Sequence, residues 1–381
     1  MTETPPSDIP LGEVPEIANL LDELESLAPI TQARIVSYRT VTDTEVVNDA
    51  LDEPEESFDP NEDQQDWLNW QGQQQLPFIQ VIDPQTLIAN PVGVIAVDCG
   101  LARLGETEDG LIVGLRGTIV SVVNGETTLN LYRTGPIYLR NADRLRILHL
   151  LGVGLNKPDI FVELNDNDQP IRIKSGVADD AQKYSDRLRN WFERILQRIA
   201  VRLISNGLVL LDGALTLNTR DTPTEFLREL DRLATQNGNA LVGLSKQSRL
   251  QVAERSVRFW LSENPNAICY RRLSQIMSAE MRQRVLGNTY AIRFSPMGAT
   301  FRVDIKAMQG QGDDEVIETM FSSCLIRGGY PDILVRAHTH SYFTSPSITE
   351  LEAQCGVRYQ LRPEQEIDLG SIFGPFGGRF K

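Results

Sequence analysis

Three short apolar runs, at residues 92–97, 208–211 and 240–244, are separated by segments of helical spacing, and this alternation restricts the chain to an α/β fold. Before the first helix comes a β-rich stretch, residues 110–123 and 127–132, broken by Asn124-Gly125, the strongest short hairpin signal a sequence can carry. Residues 182–205 then place Leu188, Trp191, Phe192, Ile195, Leu196, Ile199 and Leu203 on one stripe of a long helix that stops at Asn206-Gly207. The next helix opens at Thr222-Pro223-Thr224-Glu225, a capping box, and closes at Asn237-Gly238. Residues 156–175 predict a second hairpin around the turn Asn165-Asp166-Asn167-Asp168, inserted on the sheet edge. A strand pair at 289–294 and 299–305 and a last helix at 330–343 complete the pattern.

Charge divides the chain unevenly. The net charge is −15, yet residues 1–102 hold 20 acids and only two bases, Arg34 and Arg39, while the remainder holds 32 acids and 35 bases. An acidic front is therefore joined to a slightly basic body, and the global balance does not exclude an anionic partner for that body. Eleven acids and no base lie between residues 43 and 66, with Pro54 and Pro60 as breakers, which predicts a solvated loop; residues 17–27 predict a short amphipathic helix. The expected division is an acidic extension at 1–75, one body at 76–365 with the hairpin insertion at 156–175, and a Gly/Phe-rich tail at 366–381 carrying Phe373, Phe376 and Phe380. No stretch approaches the roughly 18 apolar residues of a membrane span. The first 15 residues lack the bases of a signal or transit peptide. The four cysteines, Cys99, Cys269, Cys324 and Cys355, form no C-x-x-C pair and read as reduced thiols, so a cytoplasmic protein is expected.

Chemistry concentrates at the strand ends. VGVIAVD ends in Asp98 and LVLLDG in Asp212, and in an α/β sheet ligands bind at the carboxyl ends of neighbouring strands. Glu193, on the flank of the long helix, can join them. Three convergent carboxylates raise one another's pKa unless a cation intervenes. An oxygen-rich set suits Mg²⁺ or Mn²⁺, and one imidazole tilts it toward Mn²⁺. His338 and His340 occur in RGGYPDILVRAHTHSYF, where a helix would set Tyr330 and His338 about two turns apart on one side. His149, in ILHLLG, reads as a packed residue. Arginines at 133–146, 187–202 and 249–284 could hold phosphates beside such a cluster, the combination that metal-dependent phosphodiester hydrolysis requires. A Walker loop, a dinucleotide glycine fingerprint and a G-x-S-x-G elbow are all missing from the sequence. The competing reading is an α/β scaffold whose strand-end acids are turn residues.

Taken in order over residues 92–344, these motifs resemble the NurA family of prokaryotic DNA end-processing nucleases: VIAVDCG with Asp98, RLRNWFERIL with Glu193, LVLLDGAL with Asp212, VGLSK with Lys246, FSPMGATFRVDI, and GGYPDILVRAH with Tyr330 and His338. The resemblance implies a ribonuclease H-like core, a mixed sheet with flanking helices and β-hairpin insertions. It further implies Mn²⁺-dependent DNA cleavage in double-strand break repair, a homodimer, and a hexameric HerA-type translocase as partner. Asp98, Glu193, Asp212 and His338 would hold the metal, and Tyr330 and Lys246 would contact the scissile phosphate or the departing strand. The family's Asp-Gly-Ser is here Asp98-Cys99-Gly100, which alters the turn expected after the first aspartate and sets a thiol beside the site. That departure favours an alternative, a non-catalytic DNA-binding or translocase-docking subunit with the same fold.

Overall fold

The computed structural model describes residues 77–359, apart from 85–86, 88–90, 108–109, 134–135 and 178–180, together with two-residue strands at Ser7–Asp8, Ser37–Tyr38 and Arg362–Pro363. The helix expected at 17–27, the acidic loop at 43–66 and the phenylalanines of the tail lie outside the described residues.

Strands β1 (Val94–Thr107), β2 (Gly110–Val123) and β3 (Glu126–Arg133) form an antiparallel meander, and the short β4 (Ile137–Arg140) pairs with the start of β2. The β2–β3 turn is the expected one, with Asn124 and Gly125 both at positive φ, 53° and 80°, as a type I′ turn demands. Helix α1 (Arg144–Gly154) follows, then the hairpin β5 (Val162–Leu164) and β6 (Pro170–Ile173). That hairpin is a separate two-stranded sheet beside α1, not an extension of the main sheet's edge, because its faces carry too few apolar residues to continue the core.

The long helix α2 (Ala181–Leu203) leads into β7 (Leu208–Asp212), α3 (Thr224–Gln236) and β8 (Ala240–Ser245). The capping box does not form. Thr222 instead donates its backbone N–H to Thr219 Oγ1, and Pro223 occupies the N-cap without a side-chain cap. Strands β9 (Cys269–Arg272), β10 (Asn288–Arg293) and β11 (Thr300–Lys306), then α4 (Asp313–Ser323), α5 (Asp332–Ser341) and α6 (Ser345–Tyr359), complete the body.

The main sheet runs β3-β2-β1-β7-β8-β11-β10-β9. β1, β7 and β8 are parallel to one another, and the flanking strands are antiparallel. A three-strand meander followed by two parallel strands, with a helix crossing between them, is the ribonuclease H-like arrangement expected from the motif order. Alternation along β1 separates two cores: Ile95, Val97 and Cys99 pack with Phe192, Ile195 and Leu196 of α2, whereas Val94 and Ala96 pack with Ile333, Leu334 and Ala337 of α5.

One expectation fails at the centre. Strand β1 does not stop at Asp98 but continues to Thr107, paired along its length with β2, so Asp98-Cys99-Gly100 is strand and not turn. The residues beyond it still alternate, and Ala102 and Leu104 are buried in a further cluster with Phe343 and Leu351. Pairing to a partner of equal length outweighs the local turn preference of Asp and Gly.

Candidate active site

Asp98 and Asp212 lie side by side. The parallel register pairs Val97 with Leu211, so the next residue on each strand is the aspartate. Asp98 belongs to the face of β1 covered by α5, and its contacts follow from that. His338 Nδ1 stands 2.8 Å from Asp98 Oδ2, and Ser341 Oγ donates to the same oxygen at 3.0 Å. The Asp98 Oδ1 atom accepts the Cys99 N–H at 2.8 Å. Gly100 makes this approach possible: a Cβ there would fall on the Ser341 carbonyl oxygen, so only glycine lets the end of α5 close onto β1. The glycine that seemed to spoil the motif therefore permits the contact between its first aspartate and its histidine.

Lys246, one residue past β8, donates from Nζ to Asp212 Oδ2 at 2.6 Å and lies 5.6 Å from the centre of the Tyr330 ring. Tyr330 is not on the helix with His338. It pairs with Arg327 in a two-residue bridge before α5, and proline at 331 starts the helix only at Asp332. The Tyr330 hydroxyl is buried without a partner among the described residues. Burial, then Asp212 and Asp98, push its pKa well above the ordinary value, so it remains a donor at neutral pH.

Glu193 is 2% exposed. It rises from α2, which packs on the opposite face of β1 from α5. Gln197 Nε2 donates to its Oε1 at 2.9 Å, and Arg194 lies 3.3 Å from the same atom. Burial lifts its pKa to about 7; Arg194 opposes this, Asp98 adds to it, and Arg189 and Asp212 act more weakly. Asp212 is raised by burial, with Lys246 pulling it down and Asp98 pushing it up. His338 is raised chiefly by its bond to Asp98. These groups feel one another across a short span. Cys99 points to the α2 side, where burial and then Glu193 and Asp98 keep it a neutral thiol, so it offers no thiolate to a metal.

The structure thus joins Asp98 to His338 and Asp212 to Lys246, with Tyr330 against Lys246 and Glu193 approaching from behind the sheet. Among the described residues, no three His, Cys, Asp or Glu side chains are grouped as one ion requires. The donor set nevertheless fits a hard divalent cation in kind: three carboxylates and an imidazole, with burial letting Glu193 hold its proton near neutral pH.

Sequence reasoning missed Ser341 and Gln197, although each stands three or four residues from a chosen helical residue on the same face. Two arginines of α2 have partners of their own: Arg187 pairs with Asp221 and Arg198 with Glu229 at 3.0 Å, so these two brace α2. His340 follows His338 by two residues, roughly 200° round the helix, and makes no bond to Asp98.

No protein-family model matches the chain, and no curated protein matches it. Among solved structures it is similar to the NurA nuclease from Sulfolobus solfataricus, at 13% identity over 74% of this chain and 87% of that one, with a TM-score of 0.44. It is similar also to NurA bound to dAMP and manganese, at 9% identity over 88% and 94%, TM-score 0.37. A third is Ciona intestinalis endonuclease V in complex with a DNA containing an inosine, at 12% identity over 77% and 97%, TM-score 0.32. The NurA nucleases that the motif order resembles are thus among these structures. No helix among the described residues is long and apolar enough to cross a membrane.

Proposed function

We propose that the protein is a metal-dependent DNA nuclease in which Asp98, Glu193, Asp212 and His338 hold Mn²⁺, with Mg²⁺ as the alternative ion. The observation that carries this reading is the placement of Asp98 and Asp212 on adjacent parallel strands, at the centre of a ribonuclease H-like sheet, electrostatically coupled to a buried Glu193. Bound there, a divalent ion would activate water for attack on phosphorus and stabilise the leaving oxygen.

The protein's own groups have defined tasks. With its Nδ1–H donated to Asp98, His338 keeps Nε2 as the nitrogen that faces a metal or a proton. Lys246 supplies a half-exposed ammonium that a phosphate oxygen can share with Asp212. Tyr330, held protonated, can donate to an anionic oxygen of the scissile group or the departing strand. A homodimer, a cytoplasmic site of action in double-strand break repair and a HerA-type translocase partner belong to the same reading, through the motif resemblance.

A second reading has its own observation. Lys246 already neutralises Asp212, and His338 bonds Asp98, so the cluster is compensated as it stands. That favours a non-catalytic DNA-binding or translocase-docking subunit. Incubation with end-labelled single- and double-stranded DNA in Mn²⁺, Mg²⁺ or EDTA separates the two: the nuclease yields products with a metal and none with EDTA, and the subunit binds without cutting in all three.

A further inference from the structure

Behind the site, on the α2 side of the sheet, an ion pair is buried where no charge is needed to hold strands together. Asp304, on β11, is 0% exposed and Arg302 is 2% exposed. The guanidinium grips the carboxylate twice, Nε to Oδ1 at 3.2 Å and the second nitrogen to Oδ2 at 3.1 Å. An interior pair of this kind costs as much in desolvation as it returns, so stability alone does not account for it.

Its other bonds do. Asp304 Oδ2 accepts the backbone N–H of Leu215 at 3.0 Å, and Arg302 donates to Thr216 Oγ1 at 3.2 Å. Both acceptor and donor belong to the segment that follows Asp212. That segment leaves β7 at Gly213, whose N–H is bonded to the Leu244 carbonyl at 2.7 Å, and crosses β8 directly above Gly243. A side chain at Gly243 would lie 2.7 Å from the Gly213 oxygen. Gly243 is also the residue paired with Asp304 across β8 and β11. The loop thus passes over one strand, at the only point without a side chain in its way, to reach the ion pair on the next. Thr289 Oγ1 completes the carboxylate's partners at 2.7 Å.

We propose that the Arg302–Asp304 pair positions the loop at residues 213–217 and, through it, the metal-binding carboxylate of Asp212. This rests on the nuclease reading above. Neither residue touches the reacting groups; they act through Asp212 and are positioning residues. Two charges retained in the interior hold a short, glycine-started loop in one register against the sheet, where an apolar pair would leave the Leu215 N–H and the Thr216 hydroxyl without partners.

The test uses the double variant Arg302→Met/Asp304→Leu, which keeps the interior filled and removes both bonds to the loop. Expected are a melting temperature only modestly below wild type, faster amide exchange confined to residues 213–217 in EDTA, Mn²⁺ affinity weakened by about tenfold or more, and a matching fall in kcat with KM for DNA unchanged. Thr216→Val, which leaves the pair intact, should give a smaller change of the same kind and decides the matter should the double variant not fold. Loop exchange, metal affinity and kcat at wild-type values in a folded variant would overturn the proposal, as would a fall in stability spread evenly over the chain. A wild-type protein that neither binds Mn²⁺ nor cleaves DNA would instead refute the nuclease reading, and the exchange data would still report whether the pair holds the loop.

Discussion

Replacing Glu193 by Gln should stabilise the metal-free protein, and by an amount that depends on pH. The wild-type carboxyl titrates near 7 in the folded chain, against 4.5 as the ordinary value, because it is buried and faces Asp98. Between those pH values the unfolded chain has released the proton and the folded chain has kept it. The unfolded state therefore binds fewer protons, and stability falls as pH rises across the window. A shift of this size is worth about 3 kcal/mol, present in full above pH 7. Glutamine does not titrate, and its carbonyl can still accept the hydrogen bond from Gln197. The gap in stability between variant and wild type should consequently widen by about 3 kcal/mol from pH 4.5 to pH 8, or roughly 5 °C in melting temperature for a body of this size. Thermal melts of both proteins in EDTA at the two pH values measure it. Comparing differences removes the contribution of Asp212, whose raised pKa slopes the same way in both proteins. An equal gap at both pH values would refute the reasoning, since Glu193 would then titrate as it does in an unfolded chain.

Asp98→Asn and Asp212→Asn should each abolish metal-dependent cleavage while keeping or raising the melting temperature in EDTA, because each removes a carboxylate that repels its neighbours; wild-type rates in either variant would contradict the site. His338→Ala should cost most of the activity and His340→Ala little, and the reverse ranking by cleavage assay would mean that the wrong histidine has been chosen. The His338 ring should titrate above its ordinary value in an NMR pH series; the stability it lends is present below the unfolded pKa and lost as pH rises through the folded one, and Asp98→Asn should bring the ring's pKa back down. Gly100→Ala should destabilise by about 1–3 kcal/mol and lower activity, because the added methyl pushes the end of α5 off β1; unchanged melting would show that the helix can shift freely.

The sequence made the sheet legible because its signals were local. Asn124-Gly125 fixes a turn by backbone conformation, and the stripe on α2 fixes a helix by periodicity. What it hid depended on distant partners. Asp98 reads as a turn residue until β2 supplies a strand of equal length, and Cys99-Gly100 reads as a damaged motif until the carbonyl of Ser341 is seen resting where a side chain would be. Proline at 331 separates Tyr330 from the helix that carries His338, which spacing alone had joined. The bracing roles of Arg187 and Arg198 were hidden too, since Asp221 and Glu229 lie far enough along the chain that no sequence window contains both partners. The Arg302–Asp304 pair was invisible for the same reason, since its purpose lies in a loop almost 90 residues earlier.

The central claim is that the acidic cluster holds a metal for cutting DNA, and titrating Mn²⁺ into the wild type and Asp212→Asn while following cleavage of an end-labelled strand in the same samples tests it most directly. Saturable binding by the wild type, with products appearing in step with occupancy, and loss of both in the variant, is the predicted result; cleavage that persists in EDTA, or Mn²⁺ binding and cutting unchanged by Asp212→Asn, would contradict it.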